Sequence, residues 1–225
     1  MPTSGTATFN LEFDDIIEEA FERCGLESRT GYDMRTAARS MNLMFADWAN
    51  RGLNLWTIEQ RSLSLVQNTP QYSLPDDTVN VLSAVLRTGS GSLQQDITLD
   101  RISQNEYLHM PNKLVQARPA QYYVQRTNPA QLFVYPNPDG AQVYTFRYYT
   151  VRRIQDVGAL TNTADVVFRF LPALVAGLAY YIALKKAPDR VQLLKGFYEE
   201  EFARAAMEDR DIASVFLTPN LEFGS

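Results

Sequence analysis

An α+β fold is what this sequence predicts: a helical bundle made from N- and C-terminal helices, with an inserted, mostly antiparallel β module. Two observations predict it. Apolar residues recur with helical spacing before about residue 50 and after about residue 165, and with a two-residue period between. In ADWANRGLNLWTIEQRSLSL, residues 46–65, one period gives way to the other between Trp48 and Trp56, the only two tryptophans. The chain has 225 residues, of which 45% are hydrophobic, so it carries apolar mass for one large core or two smaller ones.

Residues 1–9 are small and polar and read as a flexible arm. The first helix is expected over 11–24, where Phe13, Ile16, Ile17, Ala20, Phe21 and Cys24 form one stripe. Asp14, Asp15, Glu18 and Glu19 fall off that stripe, near the N-terminal half where the helix dipole favours anions. Gly25 is placed to end it. After the loop LESRTG, a second helix is expected over 32–50, with Met34, Ala37, Ala38, Met41, Phe45 and Trp48 inward and Gly52 as the stop. So short a loop predicts antiparallel packing of the two.

From Leu55 the pattern is that of strands. TIEQRSLSLV, YSLP, VNVLSAVLRT, DITLDRI, AQYYVQR, QLFVYP and QVYTFRYYTVRRI are rich in Val, Ile, Tyr, Phe and Thr. Turn-forming NTPQ, LPDD, GSGS, TNPA and NPDG separate them. Ser103, with Glu106 three places on, spells a capping box for a short helix within this region. Helices return after the polar loop GALTNTAD. Phe170 to Leu184 is apolar nearly all round, so that helix is buried on most faces or meets another chain. A last helix is expected over 188–213, with Val191, Leu194, Phe197, Tyr198, Phe202 and Ala205 inward. The expected organisation is a 1–9 arm, a helical bundle from 10–54 and 165–213, an inserted β module over 55–164, and an extended arm over 214–225. Trp48 and Trp56 then lie in the seam between modules.

The composition narrows the chemistry. A net charge of −5 argues against gripping nucleic acid by its phosphates. One cysteine, Cys24, allows no internal disulfide, and no Cys/His cluster offers a zinc site. The N-terminus has neither a basic start nor an apolar signal core. The longest apolar run, 15 positions from Phe170 to Leu184, falls short of the roughly 20 that span a membrane. The expectation is a soluble protein made in a reducing cytoplasm, with no membrane partner, no metal and no cofactor. His109, the only histidine, sits beside a Pro turn and reads as a surface residue. The carboxylate pairs Asp14/Asp15 and Glu18/Glu19, and Glu199 to Glu201, read as solvated helix faces. Arg147, Arg152, Arg153 and Arg169 form a modest basic cluster, expected to pair with the acidic helices or a neighbouring subunit. No catalytic residue is assigned.

Three stretches in order carry a resemblance: MNLMFADWANRGLNLWTIE; RISQNEYLHMPNKLVQARPAQYYVQR followed by LFVYPNPDG; and RFLPALVAGLAYYIALKKAPDR followed by LLKGFYEEEFARAAMEDR. Over about 11–212 the chain resembles the head-to-tail adaptors of tailed bacteriophages, the tail tubular protein A or tail accessory group. The resemblance implies a non-enzymatic virion protein of the neck or tail, assembled in the host cytoplasm. Copies of it form a ring, usually of twelve, between the portal protein and the next tail or nozzle protein. Genomic DNA passes through without specific binding. Expected partner-contact residues are Phe170, Leu174, Leu178 and Tyr181 on the apolar helix, and Phe216, Leu217, Leu221 and Phe223 in the C-terminal arm. The competing reading is a carbohydrate- or protein-binding module whose β surface presents Tyr122, Tyr123, Tyr148 and Tyr149. A more distant one is a hydrolase using Glu106 or His109.

Overall fold

The computed structural model describes residues 5, 9, 11–51, 55–89 and 91–209. Helix α1 spans Phe13–Arg23 and buries Phe13, Ile16, Ile17, Ala20 and Phe21, the stripe that its spacing predicts. It closes as expected on Gly25: φ there is +68°, and the Leu26 N–H donates to the Phe21 carbonyl at 3.0 Å. Helix α2, Gly31–Asn50, starts at a capping box that the sequence reading passed over. Thr30 Oγ1 accepts from the Asp33 N–H at 3.2 Å, and Asp33 Oδ2 accepts from the Thr30 N–H at 3.1 Å. Gly52, the expected stop, lies outside the described residues.

A single 3-10 turn, Leu55–Thr57, leads into the strands. They are β1 (Ile58–Leu65), β2 (Gln71–Ser73), β3 (Thr78–Thr88), β4 (Gln95–Thr98), β5 (Asp100–Arg101), β6 (Gln121–Gln125), β7 (Gln131–Tyr135) and β8 (Tyr144–Arg152). They form two four-stranded sheets, ordered β1-β8-β3-β4 and β2-β7-β6-β5. All pairings are antiparallel except β5 with β6. The run DITLDRI, read as one strand, is two: β4 belongs to the first sheet and β5 to the second, with Leu99 buried at the crossing. Ile97 and Leu99 keep the two-residue period of β4, whereas both residues of β5 are exposed and the next buried one, Ile102, comes three after Leu99. The short helix α3, Gln104–Leu108, has the Ser103/Glu106 capping box that the sequence spells.

The sheets share one interior of Leu65, Leu86, Tyr122, Leu132, Val134, Tyr144, Phe146 and Tyr148 among others, and the Tyr122 and Phe146 rings meet across it at 5.4 Å. That overturns a four-tyrosine platform. Tyr122 and Tyr148 are core residues, while Tyr123 and Tyr149 point away from the core on different sheets. The side-chain period of two forces neighbours to opposite faces.

Helix α4, Leu171–Lys186, follows the turn Phe168–Phe170, and α5, Val191–Glu208, follows a turn starting at Pro188. The helices of both chain ends share a second interior: α1 and α2 each pack chiefly on α4, and α5 lies along it. The stretch Phe168–Lys186 has 19 residues and a mean hydropathy of 1.3, long and apolar enough to cross a membrane by composition. Cover by three helices accounts for that apolarity. The helices approach closely at Gly177, where a Cβ would stand 2.7 Å from Tyr198 Cε2 and against Met44 Sδ. Beside it, the buried Trp48 Nε1–H donates to Tyr198 Oη at 2.7 Å.

Asp33 ties the start of α2 to the end of α4. Lys186 Nζ donates to its carboxylate, and this bond together with those from Thr30 holds its pKa at about 2, below the usual 3.8. A depressed carboxylate stabilises the fold above the unfolded value and loses that contribution as pH falls through the folded one. The melting temperatures of wild type and Asp33→Asn, measured against pH, are expected to differ most above pH 4 and to converge towards pH 2. A gap that persists at pH 2 would sink this account. Gly177→Ala is expected to cost about 1–3 kcal/mol through overpacking, read from urea denaturation.

Candidate functional site

Two places in the helical part hold the residues of interest. The first is the passage between the helices and the strands. Trp48, at the end of α2, and Trp56, just before β1, both meet Phe170, with ring centroids 5.7 Å and 4.6 Å away. Trp48 is fully buried among Phe45, Phe170 and Phe202. Burial pushes the Tyr198 phenol upward, so it stays neutral and accepts the Trp48 N–H. Arg51 lies over the Tyr198 and Phe202 rings at 4.9 and 4.8 Å and pairs with Asp47 and Glu199, each at 2.8 Å. The Glu199 hydrogen bonds hold its guanidinium protonated more firmly than usual.

Asp165 is the node of this passage, and the sequence reading missed it inside a loop. Its carbonyl accepts from Trp56 Nε1–H at 3.2 Å. Its carboxylate accepts two bonds from Arg152, one at 2.9 Å, and the Gln155 N–H at 3.0 Å. These bonds raise the Arg152 pKa, burial opposing them. The same loop reaches the helices: the Val157 N–H donates to Asn42 Oδ1 at 2.9 Å, and the Phe13 and Asp14 N–H groups donate to the Asn162 and Leu160 carbonyls. No local signal singles it out: Asp156 follows the Arg152–Arg153 pair more closely in the sequence.

The second place is a groove between α1 and α5, floored by α4. One part, about 820 Å³, is lined by Phe9, Leu11, Asp15, Glu19, Phe168, Pro172 and Val175. The next, about 380 Å³, is lined by Arg23, Ala176, Arg190, Leu193, Leu194, Phe197 and Glu201. Phe168 is 60% exposed and Phe197 52%. Phe197 was expected inward. It stands off the Leu194–Tyr198–Ala205 line and shares an outer face with Leu193, four residues earlier.

The apolar residues expected to meet a partner are placed differently. Phe170, Leu174 and Leu178 are wholly inside this chain's own core, and Tyr181 is half-buried beside Tyr180. An apolar helix that needs cover takes it first from its own chain. Phe216, Leu217, Leu221 and Phe223 lie outside the described residues. The basic cluster is engaged internally. Arg152 holds Asp165, Arg169 pairs with Asp209, Arg153 donates to the Asp76 carbonyl and Asn128, and Arg147 donates to Gln60. His109 ends α3, exposed, with Nδ1 2.7 Å from the Asn105 carbonyl. Glu106 is held in the capping box, which lowers its pKa through bonds from Ser103, the reverse of what a general acid needs. Among the described residues no three His, Cys, Asp or Glu are grouped to hold a metal ion.

Residues 12–220 match the family model described as SU10 adaptor protein, and the chain belongs to that family. The match makes it an adaptor-type structural protein of a bacteriophage, a virion component that associates with other head or tail proteins. It does not assign the chain to the tail tubular protein A group. No curated protein matches the chain.

Asp165→Ala removes the acceptor of Arg152 and Gln155 together, and is expected to cost about 2 kcal/mol. Urea denaturation followed at once by tryptophan fluorescence, which reports on the passage, and by far-ultraviolet circular dichroism is expected to separate into two transitions in this variant. Superimposable curves would show that Asp165 does not couple the two parts.

Proposed function

From membership of the SU10 adaptor protein family, we propose that this chain is a non-enzymatic ring subunit between the portal and the tail. Copies assemble side by side, twelve by the family resemblance stated above. They bind the portal protein on one side and the next tail or nozzle protein on the other, in the neck of a virion put together in the host cytoplasm. DNA passes through the ring. The observation that carries this reading is the family match across residues 12–220. Two others support it. The groove leaves large apolar side chains such as Phe168 and Phe197 open to solvent, which marks a protein-contact surface. A net charge of −5 suits a passage that must not hold phosphates.

We further propose two domains, one of helices from residues 10–54 and 165–213, the other of strands from 55–164. Separate hydrophobic interiors support that division, and the seam at Trp48, Trp56 and Asp165 holds them in fixed relation. Such rigidity suits a wedge that must repeat its contacts around a ring.

The test is mass in solution, for the purified chain alone and mixed with portal rings of its own phage. The expected result is a defined complex with several copies per portal ring, visible as an added ring by electron microscopy. A chain that stays monomeric and leaves the portal unaltered would overturn the reading.

A further inference from the structure

The groove and helix α2 lie on opposite sides of α4. Pro172, Val175 and Ala176 floor the groove. At about 100° per residue, they point away from the positions that meet α2, where Gly177 faces Met44 and Lys185 Nζ donates to Ser40 Oγ at 2.7 Å.

The outer face of α2 is apolar and basic. Tyr32, Arg35, Arg39, Leu43 and Ala46 recur at three- and four-residue spacing and are exposed, Tyr32 at 61% and Leu43 at 63%. Among the described residues no ion pair holds Arg35 or Arg39, and Arg39 donates only to Thr36 on its own helix. The α1 wall of the groove has the opposite sign. Asp15 and Glu19 line it, Glu18 and Glu22 are exposed beside them, and only Arg23 offsets them, through Glu19 at 2.9 Å. On the α5 side Arg190 and Glu201 supply one charge of each sign. Arg35 and Arg39 are four residues apart, as are Asp15 and Glu19. Each pair spans about 6 Å of helix, so two helices side by side bring them into register.

We propose that the outer face of α2 of one copy seats in the α1–α4–α5 groove of a second copy, with Leu43 and Tyr32 among its apolar residues and Arg35 and Arg39 against its acidic wall. The contact rests on the ring reading above and names the two lateral faces. Because those faces differ, the contact is heterologous: it passes from copy to copy, as a ring requires, rather than stopping at a dimer.

The test uses the full chain, its self-association measured by sedimentation alone and on portal rings. Arg35→Glu with Arg39→Glu, and separately Glu19→Lys with Glu22→Lys, are each expected to weaken association about tenfold or more, since like charges then face each other. Asp15 stays, because its carboxylate also caps α1 through the Glu12 N–H. The fourfold variant restores opposite signs at residues 19 and 22 while Asp15 stays acidic, so it is expected to recover association in part, above either double variant, which also shows that the single-face variants fail by charge and not by folding. Two results overturn the contact while the ring reading stands: rings that form normally in both double variants, or a fourfold variant that stays dissociated. Loss of rings on truncation after Asp209, with the charge reversals silent, would give the groove to residues 210–225 instead. A wild-type chain that forms no ring, alone or on the portal, would remove the ring reading and the contact with it.

Discussion

Helix α4 has no polar side to offer water until Lys185, and the rest of the helical part is arranged to cover it. One partner helix shields about a third of a helix surface, so a cylinder this apolar needs several. They come from both ends of the chain: α1 and α2 from before the strands, α5 from after them. Gly177 is what lets two of them approach at one level, since any side chain there would occupy the space of Met44 and Tyr198. The strands must therefore leave and re-enter the helical part at neighbouring points.

That requirement explains the passage. Strands β1 and β8 are paired along eight residues, from Ile58 with Val151 to Leu65 with Tyr144, so the outgoing and returning chains run together. Arg152, still paired with Thr78 of β3, lies one residue past the end of the β1 pairing, and the chain beyond it needs new partners. Asp165 supplies several at once, and Trp56 and Trp48 close on Phe170 beneath it. Hydrophobic packing alone would let the two parts slide. A carboxylate gripping a guanidinium at two atoms has one good geometry, so the node fixes an orientation as well as adding stability.

How much of this was legible follows from how local each signal is. The stripes of α1 and α2, the strand periods, the α3 capping box and the stop at Gly25 are written in spacing, and the structure has them where spacing puts them. The break inside DITLDRI was marked only by the phase shift from Leu99 to Ile102, which in so short a run reads as one strand ending and not as a crossing between two sheets. Phe170, Leu174 and Leu178 were correctly seen as needing cover, but spacing cannot say whether the cover comes from the same chain. Asp165 was invisible for the same reason: its partners are distant in sequence, and an Asp in a polar loop looks like any other. The groove was half visible. Phe197 stood in the predicted inner stripe, one position from Tyr198, and only the actual phase of α5 separates the buried residue from the exposed one.

The open side of α4 is then the informative one. Three helices suffice to bury Leu174, Val175, Ala176, Leu178 and Ile182, yet Pro172 stays exposed at the mouth of a groove flanked by Phe168 and Phe197. A chain selected only for its own stability gains nothing by keeping two phenylalanines half in water, where each forgoes about 1–1.5 kcal/mol of burial. A subunit of a larger assembly gains that burial on assembly. The acidic wall beside the groove adds direction, because charge steers which face approaches and rejects a copy in the wrong orientation. Apolar rim and charged wall thus divide the work: the exposed phenylalanines supply affinity, and the wall decides which neighbour receives it.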